Sequence, residues 1–248
     1  MSAELYFSRA RLRPDLGRLG PILFPDAPAG RMGVSHRLVW SLFPEDLTER
    51  PFLYRDIAAS NGTGRAARGE FLILSTIRPE DRLKLFDLET KPFEPALNKG
   101  DRLHFSLRAN PTVQRRDKVE QPESKKRKTR RFDVVMHALH KIPAGDERAE
   151  ARPRLIREAG LGWLIRQGET AGFSLPDPDK TAIDGYEQFS VDPENGRKGW
   201  GSSRPGHSRI DFSGEVEVTD PECFLSRLAT GFGRARAFGH GLMLIRRP

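Results

Sequence analysis

The chain has 248 residues, with 42 Lys and Arg against 34 Asp and Glu for a net charge of +8, and one cysteine, Cys223. That length supports one large domain or two small ones, and the excess of cations points to a polyanionic partner, nucleic acid by default. One cysteine excludes a disulfide framework and a cysteine-rich zinc site, and with no signal-like apolar start and no run long enough to cross a bilayer, a cytoplasmic protein with no membrane partner is expected.

The first predicted element is a strand, ELYFSRARL (Glu4 to Leu12), in which apolar and polar residues alternate. A short helix is predicted over Ser35 to Phe43, with Ser35 as N-cap and His36 in the first turn. FLYRDIAA and EFLILSTI read as paired strands around the turn NGTGRAARG. Arg82 to Asp87 is compatible with a strand or a short helix, and DRLHFSLRA (Asp101 to Ala109) closes the first half as a strand. After the turn-like NPT comes QRRDKVEQPESKKRKTRR, Gln114 to Arg131, with nine basic residues against three acidic ones. It has no apolar periodicity, which predicts a solvated, mobile linker.

Beyond it RFDVVMHAL reads as a strand, and Arg148 to Gln167 carries a helical pattern through Leu155, Ala159, Trp163 and Ile165, weakened by Gly160 and Gly162. Strands at Tyr186 to Val191 and Ser208 to Val218, a helix at Pro221 to Thr230 and a strand at Leu242 to Ile245 complete the series. Residues 1–113 then form an N-terminal unit, 114–131 a basic linker and 132–248 a C-terminal unit. Each half runs approximately β-α-β-β-α-β, giving an α+β protein of two tandem ferredoxin-like, or RRM-like, domains. The aromatic stacking pattern of an RRM sheet is absent, so RNA binding would rest on loops and charge.

Three segments concentrate the candidate contacts. The linker carries Lys125, Lys126, Arg127, Lys128, Arg130 and Arg131. The segment GRKGWGSSRPGHSRIDFSG adds Arg197, Lys198, Arg204 and Arg209 ahead of an acidic strand with Asp211, Glu215 and Glu217, which suits a basic hairpin set against an RNA stem, although Gly and Ser also fit a plain exposed turn. The third is GFGRARAFGHG, in which Gly231, Gly233, Gly239 and Gly241 surround Arg234 and Arg236. A dinucleotide fingerprint is excluded, because only seven residues follow Gly241, and a Walker loop is excluded because no Gly-Lys-Ser/Thr triplet is present. A helix C-cap and tight turn would need only one or two of the glycines. Four of them, with arginines between, fit a backbone that approaches an anion closely.

SHRLVWSLFP (Ser35 to Pro44), LRANPT (Leu107 to Thr112) and GFGRARAFGHGLMLI resemble, in that order, the N-terminal, central and C-terminal motifs of CasE, the repeat-processing endoribonuclease family of type I-E CRISPR systems. The resemblance spans nearly the whole chain. It implies a metal-independent endonuclease, without cofactor, that cuts the repeat hairpin of precursor CRISPR RNA by attack of a 2′-OH on the adjacent phosphate. The products are a 2′,3′-cyclic phosphate and a free 5′-OH, and the mature guide stays with the other Cascade subunits. His36 matches the family's catalytic histidine, and Arg37 adds charge beside it. Ser35 as N-cap would place a helix dipole against the phosphate.

Many family members carry a tyrosine three residues before that histidine, where this chain has Gly33. Tyr6, Tyr54 and Tyr186 are all distant in sequence, so a tyrosine–histidine pair cannot be carried over. The alternatives are an RNA-binding and assembly subunit that has lost cleavage, which the Gly33 departure favours, and a general RNA-binding protein, which the three ordered motifs disfavour. Of the other histidines, His104, His137 and His140 fit structural places, while His207 and His240 lie in segments that could contact RNA.

Overall fold

The structure is a computed structural model that describes residues 4–13, 16, 28–57, 69–116, 129–190 and 206–248. In β1 (Tyr6–Leu12) Ser8, Ala10 and Leu12 are buried while Arg9 and Arg11 are exposed, as its alternation predicts. It is an inner strand of a four-stranded antiparallel sheet with β2 (Phe52–Asp56), β3 (Glu70–Ser75) and β4 (Phe86–Pro92) in the order β2-β3-β1-β4. Ala10 lies opposite Phe71 on one side and Leu88 on the other. Helix α1 (Pro28–Trp40) and the turn after it pack Val39, Leu42 and Phe43 with Ala10, Phe52, Tyr54, Phe71, Ile73 and Phe86 into one core.

The ambiguous stretch at Arg82 to Asp87 opens with a turn at residues 82–83, and β4 starts at Phe86. Both carboxylate oxygens of Asp81 accept backbone N–H bonds, from Leu85 and Phe86 at 2.9 Å each, and this turns the chain directly into the strand. Among the described residues the first sheet has no second helix.

The larger sheet contains β5 (Arg102–Ala109), β8 (Phe173–Ser174), β9 (Ala182–Ser190), β10 (Gly206–Val218) and β11 (Met243–Arg246). Its order is β11-β5-β10-β8, with β9 also pairing with β10. Here the structure corrects the sequence reading. The segment expected to close the first half, DRLHFSLRA, is an inner strand of the second sheet, with Leu107 opposite both Phe212 and Met243. Leu103, Phe105, Leu107 and Ala109 all enter the core formed with Ile210, Phe212, Val216 and Trp163. Alternation marks a strand with a buried face, but not the sheet it joins. With β5 as its first strand, the second sheet repeats the ferredoxin-like order of the first.

The supposed linker is corrected in the same region. Its two ends, β6 (Thr112–Arg116) and β7 (Thr129–Asp133), pair antiparallel, with Gln114 opposite Arg131. Residues 117–128 lie outside the described residues. RFDVVMHAL is not one strand: β7 stops at Asp133, and α2 (Val134–Leu139) begins. The Asp133 carboxylate accepts the Met136 N–H at 2.7 Å and the Tyr186 hydroxyl at 3.0 Å, so it acts as an N-cap inside a run with strand-like composition.

Helix α3 (Asp146–Ala171) extends past both ends of the predicted pattern. Gly160 does not break it. A Cβ there would lie 3.2 Å from Ile183 Cγ2, so glycine sets the close approach of helix to sheet. Helix α4 (Pro221–Thr230) falls on its predicted span, with Pro221 at the first turn and Asp220 capping the Cys223 N–H at 3.0 Å.

Candidate functional site

His36 lies on α1, but the helix does not start at Ser35. Ser35 is inside it, 2 % exposed, and donates its hydroxyl to Asp56 at 3.3 Å. The expected N-cap, and the dipole argument built on it, are therefore overturned. His36 stands four residues from the C-terminal Trp40, where the carbonyl end of the helix would favour the protonated ring. Burial opposes this first, followed by the charges of Arg50 and Arg37, and together they lower its pKa. The ring sits among Trp40, Phe52 and Tyr54, with centroids 5.8, 6.1 and 6.3 Å away. Its Nδ1 is buried without a partner among the described residues. The result is a half-buried imidazole biased to the neutral form at neutral pH.

The family tyrosine is missing at Gly33, yet the fold brings Tyr54 from β2 beside the histidine. Its hydroxyl donates to the carbonyl of Ala237 at 3.0 Å, and the side chain is 1 % exposed. Burial raises its pKa, with Asp56 adding to the effect. Tyr54 therefore keeps its proton and ties the catalytic candidate to the glycine loop.

The second and third sequence motifs meet at the same junction. The Gly241 N–H donates to the Arg108 carbonyl at 2.7 Å, and Asn110 forms a bridge with Arg234. Arg55 on β2 donates to the Ser106 hydroxyl at 2.9 Å and to the Leu242 carbonyl at 3.1 Å, joining the first sheet to β5 and to the residue before β11. All four loop glycines have positive φ, as expected, but the close approach they permit is to protein. A Cβ at Gly233 would stand 2.7 Å from the Asn110 carbonyl oxygen, one at Gly241 2.7 Å from that of Phe232, one at Gly231 2.8 Å from Leu53, and one at Gly239 3.2 Å from Tyr54. Substituting these glycines would disturb the junction itself.

Beside this junction lies a cationic groove. Arg50, between α1 and β2, has its guanidinium 5.8 Å from the Phe52 ring centroid, and its buried Nε has no partner among the described residues. Its pKa is lowered by burial and then by Arg236, whose own pKa is lowered by burial, Arg227 and Arg234. Arg50 and Arg236 line a cavity of about 600 Å3 with Leu47, Glu49, Phe52, Thr76 and Thr230, so two guanidiniums face one carboxylate. Arg236 acts on Arg50, and Arg227 and Arg234 act on Arg236, so positive charge gathers around this groove, which is the electrostatics of an anion site. Sequence reasoning missed Arg50 because its charged neighbours in EDLTERPF are all acidic, so no basic run marks it.

The other predicted contacts are dispersed. Arg37 and Arg234 are exposed, and Arg131 is exposed on β7, where Arg130 contributes backbone. Arg209 is engaged with Glu187 at 2.9 Å and lies over the Phe189 ring. Lys125, Lys126, Arg127, Lys128, Arg197, Lys198 and Arg204 lie outside the described residues. Among the described residues no group of three or more His, Cys, Asp and Glu is placed to hold a metal ion, and no helix is long and apolar enough to cross a membrane.

His240, at the end of the loop, is 1 % exposed, and burial, His207 and Arg108 lower its pKa to about 3. An unfolded imidazole titrates near ~6.5. The folded pKa is the lower one, so this contribution to stability is present above the unfolded value and is lost as pH falls towards the folded one. About 2 kcal/mol should disappear between pH 7 and pH 5. Thermal melts at the two pH values should show a smaller drop for His240→Leu than for the unaltered chain; equal drops would count against this.

Residues 5–247 match the profile of a family described as CRISPR associated protein. The chain belongs to that family. It is 29% identical over 160 residues to the CRISPR-associated endoribonuclease Cse3 of Thermus thermophilus, a match that covers 62% of this chain and 60% of the relative, less than two thirds of its length. Its fold is similar to that of Thermus thermophilus Cse3 bound to an RNA representing a pre-cleavage complex, with TM-score 0.61, 21% identity and 98% and 99% of the two chains covered. It is also similar to a chain of a CRISPR RNA-guided surveillance complex, with TM-score 0.53, 18% identity and 98% and 100% covered. The CRISPR-associated membership implied by the three motifs agrees with the family match, and the α+β fold with its antiparallel sheets is shared with these structures.

Proposed function

We propose that this CRISPR-associated protein is the endoribonuclease that cuts the repeat hairpin of precursor CRISPR RNA, with His36 moving a proton in the cleavage step. The observation that carries the reading is a largely neutral imidazole that feels the charge of Arg50, which in turn shares a groove with Arg236. The scissile phosphate lies against these arginines, and Arg37 adds to their field. The 2′-oxygen forms a bond to phosphorus and gives up its proton, the bond to the 5′-oxygen breaks, and that oxygen takes up a proton. His36 serves one of the two transfers, while the arginines stabilise the charge gathered on the phosphoryl oxygens. No metal and no cofactor takes part.

The related Thermus protein is named an endoribonuclease and is seen with a pre-cleavage RNA, and a similar chain occurs in a surveillance complex. By that likeness the product guide remains bound, the partners are the other Cascade subunits, and the site of action is the cytoplasm. Arg131, Arg234 and the cations of residues 125–128 and 197–204 carry distributed phosphate contacts. The two functional units divide between β4 and β5, with the β6–β7 pair an insertion in the second.

The test is incubation of the purified protein with its own repeat RNA in EDTA. Cleavage should persist and leave a 2′,3′-cyclic phosphate; loss of cleavage restored by magnesium or manganese would overturn the metal-independent mechanism. A second reading, a binding and assembly subunit without cleavage, is favoured by Gly33 and by the commitment of the Tyr54 hydroxyl to Ala237. Tight hairpin binding with no product under single-turnover conditions would select it.

A further inference from the structure

A cavity of about 230 Å3 lies where α1, β2, β5, β9, β10 and the glycine loop meet, separate from the arginine groove. Tyr54, Phe189 and Phe238 give it aromatic walls, and Asp56, Glu187, Arg108, Arg209 and His240 give it polar ones. Two carboxylates stand against two guanidiniums, so a bare phosphate gains no net charge attraction there. The volume is several times the ~30 Å3 share of one water and smaller than the ~300–1,000 Å3 of pockets for drug-sized ligands.

The decisive feature is His240. It is 1 % exposed, and neither Nδ1 nor Nε2 has a hydrogen-bond partner among the described residues. A buried ring without partners is held in place by its neighbours. His207 meets it edge-on at 5.4 Å and is itself stacked on Phe238 at 4.9 Å and on Phe189 at 5.3 Å. A neutral imidazole presents one donor and one acceptor, and the carboxylates and Arg209 add acceptors and donors beside it. A lining that holds donors, acceptors and aromatic rings, with its two carboxylates equal in number to its two guanidiniums, matches the edge and face of a planar heterocycle.

We infer that this cavity receives a single nucleobase, packed against Phe238 or Phe189 and hydrogen-bonded through His240, Asp56 and Glu187. The base comes either from a nucleotide flanking the cleavage site, in which case the inference rests on the proposed cleavage function, or from a free nucleoside. Ser35 and Tyr54 line the cavity, and each is a neighbour of His36, in sequence or in space. A base docked there would fix the position of its own phosphate relative to the imidazole.

Two arms test this with the full chain. Adenosine, guanosine, cytidine and uridine are titrated into protein labelled with 15N in histidine, and the ring nitrogens of His240 are followed. Separately, repeat RNAs carrying 2-aminopurine at one position on either side of the cut are bound to the protein, and fluorescence is read. At least one nucleoside should shift the His240 nitrogens, or one 2-aminopurine position should be quenched several-fold.

His240→Phe keeps a ring and removes two unpartnered nitrogens, so it should melt no lower at neutral pH while weakening base binding about tenfold, read from nucleoside affinity or from quenching. Glu187→Gln, at an exposed position, should weaken it several-fold and serves if the first variant fails to fold. Shifts without quenching assign the cavity to free nucleosides. Bound RNA with neither shift nor quenching overturns the inference and leaves the cleavage reading intact. Failure of the RNA to bind overturns the cleavage reading, and the nucleoside arm then decides the cavity alone. Base binding unchanged in both folded variants also overturns the inference.

Discussion

His36→Ala should slow single-turnover cleavage of the repeat hairpin by about two to four orders of magnitude, the scale of losing one general acid or base. Hairpin affinity should change by less than about threefold, because binding is spread over many phosphate contacts and one neutral ring supplies little of it. Removing the ring leaves space among Trp40, Phe52 and Tyr54, so a thermal melt must accompany the kinetics. His36→Gln, which fills more of that space without titrating near neutrality, should be as slow and better folded. With His36 as the base, the rate profile of the unaltered chain should carry its acidic limb below the ordinary imidazole value of ~6.5, since burial, Arg50 and Arg37 all lower the His36 pKa; with His36 as the acid, its pKa would set the basic limb instead. A wild-type rate in either variant would remove His36 from the chemistry. Loss of binding in a folded variant would make it a recognition residue.

Local chemistry was legible in the sequence wherever one element decides its own conformation. Glu4 to Leu12 alternates and forms β1, and Asp220 with Pro221 starts α4 as such a pair should. What could not be read is the pairing. The residues from Leu103 to Ala109 have the same alternation whether they pair with Phe71 or with Phe212, and only packing places them with the second. RFDVVMHAL shows the limit of composition. Its β-branched pair, Val134 and Val135, enters a helix because the Asp133 side chain satisfies a backbone N–H at the helix start.

The site divides in the same way. His36 and the arginines of the glycine loop are visible as motifs, whereas Arg50 reaches them only through the fold. The four glycines gave the correct backbone conformation and left their neighbour undetermined, because φ > 0 and close approach look the same whether the object is RNA or the Asn110 carbonyl. Tyr54 lies far from His36 along the chain, and the strand β2 erases that distance.

Arg50→Ala should combine a lower rate with a displaced pH profile, and the pair of effects separates a role at the phosphate from a merely structural one. At its optimum the variant should cut about 10²-fold more slowly, the scale for removing one preorganised donor to a developing oxyanion. The sign of the pH effect follows from the cause. Arg50 lowers the His36 pKa, so without it the pKa rises towards the unperturbed value, and burial and Arg37 still hold it below. If the neutral imidazole is the active form, the rate falls as pH drops through that pKa, and the acidic limb of the variant must move to higher pH. Arg50→Lys keeps the charge and loses the planar fork, so its limb should stay near that of the unaltered chain while its rate falls between the two. The salt slope of hairpin affinity should flatten by about one ion in Arg50→Ala, as one fewer phosphate is neutralised. Because Arg236 lowers the Arg50 pKa and both line one cavity, the double replacement should cost less than the product of the single effects. A rate loss with the limb unmoved would assign Arg50 to packing on Phe52; a wild-type rate and profile would leave the groove without a part in cleavage.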